Sequence, residues 1–238
     1  MSLRPERGIV SEKATGGGGS WPLGKHKAPV LLALPFVLLP TTMVVFLGLA
    51  PLLGKETGYL FGFLFYWLFW CLFVPRLLLD KASFSGVLAG RRPLFARANW
   101  PAVLSFAIVS AAAAIMYLGK FVHASWILML LAAPCATVDG VCEEILWRGL
   151  YIRSFPGKPL LAIVYPSLGY AAWHFVPQMI FPATAGTLRF VVSTFFLGLA
   201  YGFIAYRTGS AKWTAISHSL NGTLALSGNI AKSLLSII

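Results

Sequence analysis

The chain has 238 residues, of which 58% are hydrophobic and only 11% are charged, with 19 Lys and Arg against 7 Asp and Glu. A water-soluble domain of this size has no means of burying so much apolar surface, so the composition excludes an ordinary soluble enzyme and indicates an integral membrane protein. The basic residues are scattered along the chain and not clustered, which argues against a nucleic-acid-binding protein.

Residues 1–27 are polar and basic and contain the run "GGGGS", a composition typical of a flexible linker. We expect them to form a disordered basic cytosolic tail. The first long apolar run follows directly and is too long for the apolar part of a signal peptide. Residues 28–238 are therefore predicted to form a single transmembrane helical domain.

Long apolar runs recur through that domain, each near the roughly 20 residues that a helix needs to cross the hydrocarbon. They predict an all-α, polytopic membrane bundle of about seven to eight transmembrane helices. The expected spans are 29–53, 58–79, 100–118, 121–142, 159–177, 188–206 and 213–236.

The basic residues test this layout. Fifteen of the 19 Lys and Arg fall in alternate connections on one side of the predicted bundle, and four fall on the other. Basic connections face the cytosol in membrane proteins, so the N-terminus is expected there.

Ionisable residues are rare and costly in apolar helices, and they are functional candidates where they occur. The fourth run and the residues just after it carry Asp139, Glu143, Glu144 and Arg148. Glu144 and Arg148 are four residues apart, so they can pair on one helix face. Glu143 points about 100° away from Glu144. It is therefore left unpaired and available as a general base.

Two of the four histidines also fall in apolar runs, His174 in the fifth and His218 in the seventh. The charge pattern puts His218 near the cytosolic side and His174 deeper or toward the far side. A re-entrant or broken helix around 149–166, where three prolines occur, is expected to bring His174 closer to the acidic cluster.

Three motifs occur in order: "EEILWR" at 143–148, "YAAWH" at 170–174, and "FLGLAYGFIAYRTGSAKWTAISHSLNG" at 196–222. Together they resemble the CPBP (CAAX protease and bacteriocin-processing, or Abi) family of intramembrane glutamic endopeptidases, which includes the CAAX prenyl endopeptidases. The resemblance covers about residues 130–222. Tyr170 replaces the family's phenylalanine, and Gly222 stands where the family has asparagine, with Asn221 one position earlier.

The resemblance implies a peptidase whose substrate is a membrane-anchored or membrane-proximal protein. In the family pattern, Glu143 and His174 activate the attacking water, and His218 with Asn221 stabilises the oxyanion. The remaining motif and cluster residues would support the site: Glu144, Arg148, Asp139 and Tyr170. No cofactor is expected, and the only partners implied are the substrate and the lipid bilayer.

Other interpretations remain open at this stage. Glu143, Glu144, His174 and His218 include a possible zinc ligand set, although no HExxH motif is present. A serine nucleophile at Ser210 has no orienting acid, and a thiolate at Cys142 would lie beside the negative charge of the glutamates. A non-catalytic scaffold, a bacteriocin-immunity-type protein and a small transporter with a proton relay are the alternatives to an enzyme.

Overall fold

The computed structural model describes residues 27–90 and 92–238, and the predicted tail therefore lies almost wholly outside the described residues. Within those ranges the chain is helical and contains no strand, which confirms the all-α prediction. The helices are α1 (Lys27–Leu53), α2 (Lys55–Leu78), α3 (Lys81–Ser85), α4 (Trp100–Val122), α5 (Trp126–Ser154), α6 (Tyr165–Trp173), α7 (Phe175–Gln178), α8 (Thr187–Thr208), α9 (Lys212–Leu224) and α10 (Ile230–Ile237).

Five of these helices are long and apolar enough to cross a membrane, namely α1, α2, α4, α5 and α8. The expected spans 159–177 and 213–236 are each interrupted, so the count of seven to eight is not confirmed. The first is divided at His174 into α6 and α7. The second is divided between α9 and α10, where Leu226, Ser227 and Gly228 all have a positive φ.

Helix α5 is longer than its predicted span and continues for twelve residues beyond 142. A wider π-helical turn, Ile145–Leu150, lies within it, and such turns occur frequently at functional sites. The chain then leaves the helix at Phe155, and Gly157 has a φ of 73°. This break falls inside the region 149–166, where a broken helix was expected. The acidic residues therefore lie within helix α5 and not at its C-terminal end.

Small residues let α5 and α9 approach closely, and this is the most extensive helix–helix contact in the described part of the chain. A Cβ on Gly140 would lie 2.9 Å from the Ser219 backbone nitrogen, and one on Gly222 would lie 3.0 Å from the Cβ of Ala136. Close approach through small residues is the usual way in which membrane helices associate. Here it brings His218 on α9 against the carboxylates on α5.

A cluster of aromatic rings joins α1 and α2 to α6. The ring of Trp173 stacks on Tyr66, with ring centroids 3.7 Å apart, and meets Phe46 and Phe63 edge to face. Trp147 on α5 donates from Nε1 to the Tyr66 hydroxyl at 2.8 Å. These contacts fix Trp173 and the residue that follows it, His174.

The segment between α2 and α4 covers the ends of α5 and α8. Arg153 donates to the Gly86 carbonyl, and the Val87 carbonyl accepts from Ser210 Oγ at 3.1 Å and from the Ala211 nitrogen at 3.0 Å. Asp80 caps α3 by accepting from Ser83, and these hydrogen bonds lower the pKa of its exposed carboxyl. The segment therefore holds the ends of α5 and α8 and the start of α9 at one face of the bundle.

Candidate active site

The three charged residues of the EExxxR motif are all buried, with Glu143 2% exposed, Glu144 0% and Arg148 1%. Arg148 Nη1 lies 3.0 Å from Glu144 Oε1, the pair expected from their spacing. The angle is poor for a hydrogen bond, so the attraction is chiefly electrostatic. The guanidinium also lies 4.2 Å from the centroid of the Tyr170 ring. A cation above an aromatic face is stabilised there, which gives Tyr170 a physical role in the site.

One carboxylate oxygen of Glu143 accepts a hydrogen bond, and the other has no hydrogen-bond partner. Its Oε1 accepts a hydrogen bond of 2.9 Å from Trp173 Nε1. Its Oε2 is buried without a hydrogen-bond partner and lies 3.8 Å from His218 Nε2. A buried carboxylate oxygen without a partner is costly, and such positions occur where a water, an ion or a catalytic role accounts for them.

His218 lies between the two glutamates. Its Nδ1 is 3.2 Å from Glu144 Oε1, and its Nε2 faces Glu143. Because an ionised carboxylate only accepts hydrogen bonds, the Glu144 contact assigns a proton to Nδ1. The ring of Tyr201 packs beside the imidazole at 5.5 Å. The fold thus brings Tyr201 and His218, both from the motif at 196–222, to the glutamates of the motif at 143–148.

His174 is oriented by the helix that carries it. Its Nδ1 lies 2.8 Å from the Tyr170 carbonyl oxygen, so Nδ1 carries the proton and Nε2 keeps a lone pair. The ring packs against Tyr170 and Phe190. The structure contains neither a hydrogen bond nor an ion pair between His174 and Glu143. The two are linked through Trp173, which precedes His174 and bonds Glu143.

Asp139 lies closer to the reactive groups than its supporting role in the prediction suggests. Its Oδ1 accepts from Trp67 Nε1 at 2.9 Å. Asp139, Glu143 and His218 each offer a donor atom, and these atoms all lie within 4.8 Å of one another. Asp139 is one helical turn before Glu143, so the two carboxylates share a face of α5.

Asn221 donates from Nδ2 to the Tyr201 hydroxyl at 3.0 Å and to Ser217 Oγ at 3.4 Å. It therefore orients the tyrosine that packs on His218. The structure also explains the departure at position 222, since Gly222 lies in the close contact between α9 and Ala136 on α5. A side chain at this position is crowded by Ala136, whose Cβ would lie 3.0 Å from the added Cβ.

Three functional candidates were missed from the sequence: Trp67, Trp173 and Tyr201. Each is an aromatic side chain with a polar group, and such groups usually find a partner when buried. The signal was present in the sequence, because Trp173 and Tyr201 lie inside the recognised motifs. Aromatic residues are so frequent in this chain that position alone did not distinguish these three from packing residues.

An apolar groove opens beside the site, between α1 and the α6–α7 region. Its volume is about 360 Å³, and its lining carries Leu39, Pro40, Met43, Ala172, Phe175, Val176 and Met179. The lining segment 172–179 includes Trp173 and His174 in sequence. The groove therefore runs next to the backbone that presents both side chains.

Residues 123–224 match the family model described as Rce1-like, type II CAAX prenyl endopeptidase. This segment contains α5 to α9 and every residue of the candidate site outside α2. The match confirms the resemblance that the motifs indicated. No curated protein and no solved structure gives a significant match to the chain.

Proposed function

We propose that this protein is an intramembrane endopeptidase in which Glu143 activates water, because residues 123–224 match the model of a family of type II CAAX prenyl endopeptidases. The observation that carries the proposal is the open oxygen of Glu143, which is buried in the helical bundle opposite His218 Nε2 at 3.8 Å.

In the proposed reaction, a water between Glu143 and the substrate loses a proton to Glu143 Oε2 as its oxygen attacks the peptide carbonyl. Trp173 keeps Oε1 occupied, so the proton is received at Oε2. His174 has its lone pair on Nε2 and assists by accepting a hydrogen bond from the same water. The proton then passes to the leaving amine, and no covalent intermediate with the enzyme forms.

We assign the stabilisation of the oxyanion to His218. With both ring nitrogens protonated, Nδ1 donates to Glu144 and Nε2 donates to the developing charge. Glu144 holds the imidazole at Nδ1, and Arg148 in turn holds Glu144. The motif gives Asn221 a direct oxyanion role, but its contacts support a positioning role through Tyr201.

The proposed substrate is a protein tail held at the membrane by its own anchor, as the family description implies. We propose that substrate enters from the lipid side along the apolar groove between α1 and α6–α7, whose lining residues Ala172 and Phe175 flank Trp173 and His174 in sequence. We also propose that the face covered by the α2–α4 segment is cytosolic, since the basic ends of α5, α8 and α9 meet there.

The test uses the full chain in proteoliposomes with a prenylated CAAX peptide that becomes fluorescent on cleavage. We expect cleavage by the wild type, and loss of at least about 100-fold for Glu143→Gln, in line with the contribution of general-base catalysis. Glu56→Gln, which removes a carboxylate near the start of α2, is the matched control and should retain activity. Equal cleavage by Glu143→Gln and wild type would contradict the mechanism.

If this peptide is not cleaved, protein termini in membranes that contain the wild type are compared with those in membranes that contain Glu143→Gln. New termini that depend on Glu143 support a peptidase with another substrate. Identical termini in both membranes would favour the non-catalytic scaffold.

A further inference from the structure

Asp139, Glu143 and His218 form a group that the proposed hydrolysis does not fully use. Their donor atoms lie within 4.8 Å of one another on two helices that are packed tightly together. Two are carboxylates and one is an imidazole, which is a set typical of zinc and related divalent cations. Oxygen-only cations such as Ca²⁺ prefer six to eight oxygen ligands, so the imidazole disfavours them.

Each member of the group is oriented by a hydrogen-bonding group outside it. Trp67 donates to Asp139 Oδ1, Trp173 donates to Glu143 Oε1, and Glu144 contacts His218 Nδ1. In all three residues one polar atom is thereby occupied, and the remaining atoms of Glu143 and His218, Oε2 and Nε2, face each other. Metal ligands in proteins are oriented in this manner, since an outer partner fixes the atom that does not bind the ion.

The open oxygen of Glu143 is an independent indication of a ligand. Glu143 is 2% exposed, and its Oε2 has no hydrogen-bond partner. The distance from that oxygen to His218 Nε2 is 3.8 Å. Two tetrahedral zinc ligands at about 2.0–2.2 Å from the ion are roughly 3.3 Å apart, so this pair has to close by about half an ångström on binding.

We propose that Asp139, Glu143 and His218 bind Zn²⁺ or a similar divalent cation, and that the bound ion inhibits the peptidase. That the bound ion inhibits cleavage rests on the proposed function, in which Glu143 is the general base. Glu143 cannot bind the ion through Oε2 and accept a proton from water there at the same time. A zinc peptidase keeps a separate carboxylate as its base, and here Glu144 contacts Arg148 and His218 Nδ1 through Oε1, so it lies on the side of the imidazole away from Nε2 and the proposed ion.

This set differs from the zinc ligands suggested by the sequence. Those included His174, whose Nδ1 faces the Tyr170 carbonyl and whose ring is outside the close group. Asp139 takes its place. The distinction is testable, because Asp139→Asn and His174→Asn should affect metal affinity differently.

Binding is measured on the full-length protein in detergent, stripped of metal with a chelator and then titrated with Zn²⁺ against a competing metal dye. Co²⁺ gives a second measurement through the visible absorption of its protein-bound form. We expect one ion per chain. Asp139→Asn and His218→Asn should each weaken binding by more than the roughly 10–100-fold that the loss of an outer partner costs.

His123→Asn is the matched control for His218→Asn, since His123 is exposed and distant in the fold. It should bind like the wild type, and His174→Asn should change the affinity by less than either ligand variant. If a ligand variant fails to fold, Trp67→Phe replaces it, because it keeps Asp139 and removes only the indole donor. It should weaken binding about 10–100-fold.

The activity measurement is separate from the binding measurement. Chelator-treated wild type should cleave fully, and Zn²⁺ should inhibit over the same concentrations at which it binds. Absence of stoichiometric binding, or equal affinity in wild type and both ligand variants, overturns the site. If zinc binds and the cleavage rate rises, the proposal that the bound ion inhibits the peptidase is wrong. If the protein binds zinc through Asp139 and His218 but cleaves no substrate, the metal site is supported and the proposed peptidase function is contradicted.

Discussion

Trp173 Nε1 donates a 2.9 Å hydrogen bond to Glu143 Oε1 and so determines which oxygen of the proposed base is free. The indole ring is completely buried and is held by stacking on Tyr66. The aromatic cluster between α1, α2 and α6 is therefore connected directly to the chemistry. His174, the next residue, is positioned by the same contacts.

Trp173→Phe tests this connection. A phenyl ring keeps an aromatic face beside Tyr66, while the donor to Glu143 and one ring of the indole are lost. We expect kcat to fall about 10–100-fold with little change in KM, since hydrogen bonds to charged groups contribute about 1.5–3 kcal/mol. Steady-state kinetics on the proteoliposome substrate provide the measurement.

The control for that variant is Trp147→Phe. It removes a similar buried indole donor, but one that bonds the Tyr66 hydroxyl and no carboxylate. It should lower the thermal stability and leave kcat within a few-fold of wild type. If both variants lower kcat equally, Trp173 acts through general packing and not through Glu143.

Gly222→Asn restores the asparagine of the family motif, yet we expect it to damage the protein. A side chain at 222 would press on Ala136, and overpacking of this kind costs about 1–3 kcal/mol. The melting temperature in detergent and the cleavage rate should both fall. Adding Ala136→Gly makes room on α5 and should recover part of the stability. A fully stable and more active Gly222→Asn would show that the helices separate easily.

Asn221 and Tyr201 should act as one unit on His218. Because the Asn221 amide donates to the Tyr201 hydroxyl, Asn221→Ala and Tyr201→Phe each break the same contact. We expect the double variant to lose little more activity than either single variant, as found for residues in one network. Fully additive losses in log(kcat/KM) would instead support a direct oxyanion role for Asn221.

Arg148→Ala should be one of the most destabilising substitutions in the chain. It leaves Glu144 buried without its cation, and breaking a buried pair costs about 3–5 kcal/mol. The double variant Glu144→Gln/Arg148→Met removes both charges and should recover stability. It should remain poorly active, since His218 has lost its charged partner on Nδ1. Thermal unfolding and cleavage rates on the same preparations separate the two effects.

Several properties follow from the sequence alone because they depend on composition or on spacing within one helix. Apolar runs indicate a membrane protein and include the five long apolar helices found among the described residues, and the four-residue spacing of Glu144 and Arg148 predicts their pairing. The ordered motifs between 143 and 222 indicate the family whose model matches residues 123–224. Hydropathy did not detect the breaks at His174 and at 225–229, because it averages over a span while a helix ends at individual residues.

Only the tertiary structure decided which groups meet across helices. The packing of α9 on α5 through Gly140 and Gly222 places His218 Nε2 3.8 Å from Glu143 Oε2, while the pairing of Glu143 with His174 stays a prediction. The two adjacent glutamates also acquire different partners, Glu143 with Trp173 and Glu144 with Arg148 and His218. Such contacts depend on the rotation and separation of helices distant in sequence, and these are set by side-chain packing that no local pattern records.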